Sequence, residues 1–176
     1  GECKMSLDPE YFKAGIFLKQ NNYVLMREDG TLVRHGGLFT SRAKPAVYLN
    51  AVERLCKGIL SGKPFSEIYG DIMSFDNAEL EDFILTRTMR RNVNTYANPN
   101  DLSVQLYQQE KEYVSDIGAG YTFHYVVTKD KSCRYKVIKN VSGIGEIDFD
   151  YYRADIKKLL DDLGLTVRKT TLEDFM

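Results

Sequence analysis

Tyr23-Val24-Leu25-Met26-Arg27-Glu28-Asp29-Gly30-Thr31-Leu32-Val33-Arg34 is the stretch that sets the character of this chain. Two apolar, β-prone runs flank Glu28-Asp29-Gly30, and Asp-Gly is a strong hairpin signal because glycine accepts a positive φ. Working back, Gly15-Ile16-Phe17-Leu18 reads as a further strand, and Gly36-Gly37 ends the pattern on the other side. A small antiparallel sheet therefore opens the chain.

Downstream the period changes. Pro45 suits a first helical turn, where its missing N–H costs little. Val47, Ala51, Val52, Leu55, Ile59 and Leu60 then recur at helical spacing until Gly62-Lys63-Pro64. Asp76 with Glu79 three residues later reads as a capping box. Phe83-Ile84-Leu85-Thr86 fits either an extension of that helix or a strand. Asp101 can cap a helix bearing Leu102, Leu106 and Tyr113, while Tyr121–Val127 and Tyr135–Ile138 read as strands. Asp150 opens a last helix with Tyr152, Ile156, Leu159, Leu160 and Leu163 on one face, closed by Gly164. The expected class is α+β: a small antiparallel sheet, then a mainly helical body with a short β segment.

Composition narrows the function. The 176 residues are 43% hydrophobic and 28% charged, within the globular range, so a disordered tail is excluded. No apolar run reaches the roughly 18 residues that cross a bilayer, and no signal peptide opens the chain. Cys3, Cys56 and Cys133 are odd in number and widely spaced, which excludes a disulfide framework and fits an intracellular, reducing setting. Net charge is −1, yet its sign is segregated. Residues 61–120 carry ten acidic and five basic side chains, and all three arginines there are Arg87, Arg90 and Arg91.

The chemistry-bearing residues are few. His35 and His124 have no partners at metal-ligand spacing, and surface or packed roles suit them better. Tyr69-Gly70-Asp71 begins like a polymerase carboxylate motif, but two metal ions need two close aspartates, and Met73 stands at the second position. It reads as a loop. Asp148-Phe149-Asp150 precedes a helix, where carboxylates cap N–H groups and meet the dipole. No metal or catalytic residue is expected. The arginine cluster has Thr86, Thr88, Asn92 and Asn94 beside it, the composition that phosphate backbones favour, although a solvated helix face has the same make-up.

Three segments in order resemble family B DNA polymerases. Phe83-Ile84-Leu85-Thr86-Arg87-Thr88-Met89-Arg90-Arg91 with Tyr96 is similar to the segment leading into the family's thumb. Gly120-Tyr121-Thr122-Phe123-His124-Tyr125-Val126-Val127 resembles its G-x-x-I-x-Y-V-I stretch, and Ile147-Asp148-Phe149-Asp150-Tyr151-Tyr152 its I-D-x-x-Y-Y segment. Upstream, Leu7-Asp8, Phe17-Leu18-Lys19 and Tyr23 look like the palm segment that carries K-K-x-Y. Where the family has two lysines, this chain has Gln20 and Asn21, with Lys19 just before them.

The resemblance implies residues 1–44 as the end of a palm, 45–165 as a thumb and 166–176 as a tail. The parent would be a replicative nucleotidyltransferase using magnesium, with a viral or phage source left open. The implied partner is primer–template DNA, held through backbone and minor groove to support synthesis and processivity in DNA replication. Expected contacts are Lys19, Tyr23, Arg34, Arg42, Arg87, Arg90 and Arg91. The family's catalytic aspartates lie upstream of this segment, so this stretch alone should be inactive and needs no cofactor. Opening Gly1 reads as a scar of excision from a longer protein, and the setting would be the cytoplasm or nucleus of the host cell. The tail resembles a clamp-binding peptide with Leu172, Phe175 and Met176 as its apolar plug, against the simpler reading of a solvated terminus or last strand. Two other classes stand beside this one: a non-catalytic protein-interaction module using the acidic helix near residues 67–82, and a small enzyme using Cys133 or His124.

Overall fold

A computed structural model describes residues 12–18, 21–40 and 43–165. Strands β1 (Phe12–Leu18), β2 (Asn22–Arg27) and β3 (Leu32–His35) form one antiparallel sheet in that order. The hairpin forms where Asp-Gly placed it. Gly30 N donates to Arg27 O at 2.9 Å and takes φ +83°, and Arg27 N donates to Thr31 O at 2.9 Å. This is a three-residue loop with glycine at its left-handed position. Asp29 Oδ1 tightens it by accepting from Thr31 N at 2.9 Å and Thr31 Oγ1 at 2.7 Å.

After the short α1 (Gly37–Thr40), α2 (Ala46–Leu60) and α3 (Phe65–Ser74) pack closely. Gly58 permits that approach, since a Cβ there would stand 2.7 Å from Ile68 Cγ1. Two expectations are corrected here. Tyr69-Gly70-Asp71 lies inside α3 and is not a loop, because buried Ile68 and Ile72 carry the helical face through the glycine. The capping box sits three residues later than Asp76 and Glu79. Glu79 is the cap and Asp82 its partner, with Glu79 N donating to Asp82 Oδ2 at 2.9 Å, and they open a single 3₁₀ turn, Leu80–Phe83.

The next segment resolves as β4 (Leu85–Thr88), paired antiparallel with β5 (Thr122–Val127), which pairs with β6 (Tyr135–Val137). What read as a short β segment is thus a second three-stranded sheet. Between β4 and β5 lies α4 (Leu102–Glu110), whose cap Asp101 accepts from Ser103 N at 2.8 Å. Tyr113, read as part of that helix, falls beyond its end and is 53% exposed. The chain then enters α5 (Phe149–Asp162), capped by Asp148, which accepts from Tyr151 N at 3.3 Å.

Two cores result. The larger joins Val24 and Phe39 to α2, α3, the 3₁₀ turn, Val126 and Val127 of β5, and the apolar face of α5. The smaller gathers Met89, Leu106, Phe123, Tyr125 and Val137 between α4 and the second sheet. Tyr152 of α5 ties the larger one together. Its ring stands edge-on to Phe83 at 5.0 Å, while its hydroxyl donates to Phe83 O at 2.8 Å and accepts from Val127 N at 3.0 Å. Burial pushes this phenol above the usual tyrosine range. Tyr152→Phe keeps the ring but leaves a buried N–H and a buried C=O unpaired. We expect it to lower unfolding stability by about 2–4 kcal/mol, read from urea denaturation midpoints at constant slope.

Candidate nucleic-acid interface

Strand alternation sorts the arginine cluster. Successive side chains point to opposite faces, so Thr86 and Thr88 share one face of β4 and Leu85 and Arg87 the other. The register places Arg87 opposite Phe123, Thr86 opposite His124 and Thr88 opposite Thr122. Arg87 therefore turns toward α4. Its Nε donates to Ser103 Oγ at 3.1 Å, and its guanidinium stands 3.9 Å from the Asp101 carboxylate that caps the helix. Ser103 is fully buried, so this bond satisfies a hydroxyl removed from water.

The pairing runs on past the strand. Met89 N donates to Tyr121 O at 2.8 Å and Gly120 N to Met89 O at 2.7 Å, and the Met89 side chain is wholly buried. That anchor leaves Arg90 and Arg91 outside. Arg91 lies over the Tyr96 ring at 4.6 Å, a cation–π contact that holds the guanidinium plane while its edge stays exposed. Arg90 is exposed and makes no ion pair or side-chain hydrogen bond with any described residue. The three arginines are neighbours in sequence but two kinds of group in space. Asn92 is partly committed too, its Oδ1 accepting from Ala119 N at 3.3 Å.

The first sheet separates its candidates in the same way. Tyr23 pairs with His35 and stacks on it at 4.8 Å with 15° between the planes, with Phe17 tilted beside them at 6.1 Å. Arg34 pairs with Val24, on the opposite face, and Arg34 Nη1 donates to Glu53 Oε2 of α2 at 2.9 Å. Lys57 reaches the same carboxylate at 3.1 Å. Tyr23 and Arg34 thus do not share a surface. Lys19, Arg42 and the tail residues Leu172, Phe175 and Met176 lie outside the described residues.

Sequence reasoning did not place Thr122 or His124 on this surface, weighing His124 only as a metal or catalytic candidate, and the register brings both in. Thr122 and His124 stand beside Thr88 and Thr86 on the open face of the second sheet, and Thr88 Oγ1 and Thr122 Oγ1 are 2.9 Å apart. Period-two alternation marked each strand, but only the cross-strand register could bring the four side chains together.

Carboxylates offer less. Asp71, on α3, lies 3.9 Å from Arg54, and Asp148 is taken up in capping. Among the described residues no group of three His, Cys, Asp or Glu side chains could hold a metal ion. The donor set does not fit the magnesium of a polymerase centre. Cys56 is buried, which pushes its thiol up to about 11, a poor setting for a nucleophile. No helix among the described residues is long and apolar enough to cross a membrane.

Comparison with known proteins adds to this geometry. No protein-family profile matches the sequence, and no curated protein matches it. Among solved structures, the family B DNA polymerase from the hyperthermophilic archaeon Pyrobaculum calidifontis superposes with a TM-score of 0.62 and 18% identity over 92% of this chain. The fold is family B polymerase-like. The overlap takes in 22% of that polymerase, so the chain spans about a fifth of its length.

The split among the arginines has a measurable consequence. Arg87→Ala strips the buried Ser103 hydroxyl of its partner and should cost about 1 kcal/mol of stability. Arg90→Ala should stay within about 0.5 kcal/mol of the parent chain. Urea denaturation of both variants reads the difference, and equal losses would contradict the assignment.

Proposed function

We propose that the chain is the palm end and thumb of a replicative DNA-directed DNA polymerase, and that it grips primer–template duplex. The observation that carries this reading is the superposition of 92% of the chain on a family B DNA polymerase. The exposed arginines at the end of a sheet whose β4 and β5 strands carry no carboxylate are what such a grip requires. Duplex held in every register must be touched without readout of its bases, and phosphates supply identical contacts along any sequence.

In this reading Arg90 and Arg91 meet phosphates directly. Arg91 is presented by Tyr96, so less side-chain freedom is lost when it binds. Arg87 steadies the α4 edge behind them, and Tyr23 offers a ring on the first sheet. Holding the duplex keeps the primer end at the parent enzyme's metal centre and so supports processivity. Magnesium belongs to carboxylates elsewhere in that parent, and no step of the reaction runs through the side chains described above. Leu172, Phe175 and Met176 are proposed as a plug for a sliding clamp.

Two measurements test the reading. Fluorescence anisotropy with labelled primer–template at four salt concentrations should give a linear plot of log affinity against log salt. Arg90→Ala and Arg91→Ala should each reduce its slope by about 0.9. An unchanged slope in both folded variants would make these side chains a solvated face. In a primer-extension assay with magnesium and all four nucleotides, the 176-residue chain should extend nothing, since no group of three acidic, His or Cys side chains among the described residues is placed to hold a metal ion. Template-directed extension by the pure chain would refute the assignment.

A further inference from the structure

The exposed end of one face of the second sheet carries more than arginine. Thr86, Thr88 and His124 are exposed and Thr122 is half-buried, all on one side of the β4–β5 pair. No Asp or Glu belongs to β4, β5 or β6. The carboxylates of Asp130 and Glu146 reach this side of the sheet at Lys136 of β6, the residue opposite Val126, and its ammonium offsets them at 3.3 and 2.9 Å. Arg90 continues the line of Thr86 and Thr88 just past the strand end.

The hydroxyl pair has a definite hydrogen-bonding capacity. Thr88 and Thr122 hold one hydrogen bond between them at 2.9 Å, in which either can donate. Two hydroxyls have two hydrogens, so one remains to point outward. The exposed His124 ring stands beside them, opposite Thr86. Thr86 and Thr88 are about 6.5 Å apart along the strand, so the donors form a short row and not a single point.

We propose that this face binds nucleic-acid backbone phosphates through the uncharged hydroxyls of Thr88 and Thr122, as the salt-independent part of the grip. The inference rests on the nucleic-acid reading above and adds a second kind of contact to it. An arginine that meets a phosphate displaces a counterion, so its contribution falls as salt rises. A threonine hydroxyl that donates to the same oxygen displaces none. Its contribution is lost only when the hydroxyl is lost.

The test compares the parent chain and its variants against labelled duplex across salt. Thr88→Val/Thr122→Val keeps β-branched shape in the strands and removes both hydroxyls. It should bind roughly fivefold more weakly at every salt concentration, about one neutral hydrogen bond, with the slope unchanged. Thr88→Ser/Thr122→Ser keeps the hydroxyls and should bind within about twofold of the parent, which a purely structural role for the threonine methyls would not produce. Should the double valine form fail to give the parent's melting curve, Thr88→Ala/Thr122→Ala removes the same two hydroxyls and carries the same expectation. Parent-like affinity of the folded valine or alanine form would overturn the proposal. If Arg90→Ala still lowers the slope in that case, the duplex-grip reading survives it. Duplex affinity of the parent chain that does not vary with salt would overturn both.

Discussion

The Tyr152 hydroxyl is the contact on which the larger core depends. It lies on α5, yet its hydrogen bonds reach the 3₁₀ turn before β4 and the last residue of β5. Three elements far apart in sequence therefore meet on one oxygen. A helix and a twisted sheet can slide over each other at small cost where the contact is only apolar, because dispersion has little direction. Two hydrogen bonds from a buried phenol are directional, and they fix both the depth and the rotation of α5. Around that point Phe83, Phe149 and Phe75 pack ring against ring, with ring centroids 5.4–5.9 Å apart. Arg153 closes the group, its guanidinium 5.2 Å from the Phe75 ring and its Nε donating to Met73 O at 2.9 Å.

Much of this was legible in the sequence where a local rule is strong. Asp-Gly marked the first hairpin, Asp101 its helix, and the spacing of Tyr152, Ile156, Leu159 and Leu160 the buried face of α5. The misses share a cause. Asp76 and Glu79 satisfy a capping pattern, yet Glu79 and Asp82 satisfy one as well, and only the burial of Phe83 decides between them. Gly70 suggested a loop, but Ile68 and Ile72 on either side pack against α2 and override its weak helix propensity. Propensity acts within a few residues, whereas the deciding contacts here come from elements far along the chain.

The candidate surface was legible in composition but not in arrangement. Arg87, Arg90 and Arg91 look equivalent in a row of letters. Strand alternation sends Arg87 to Ser103 and Asp101, while the buried Met89 leaves Arg90 and Arg91 exposed. Thr122 and His124 lie 34 and 38 residues from Thr88 and Thr86, and the antiparallel register alone makes them neighbours.

Strand β5 joins these halves. Its last three residues, Tyr125, Val126 and Val127, are buried, whereas Thr122 and His124 at the other end face outward. The outward groups stand on a strand anchored within both cores, not on a loop. A ligand settling there has little chain motion to arrest, so the entropy lost on contact is that of side-chain rotors alone. Short-lived encounters can then exchange rapidly along the face without refolding it at each step.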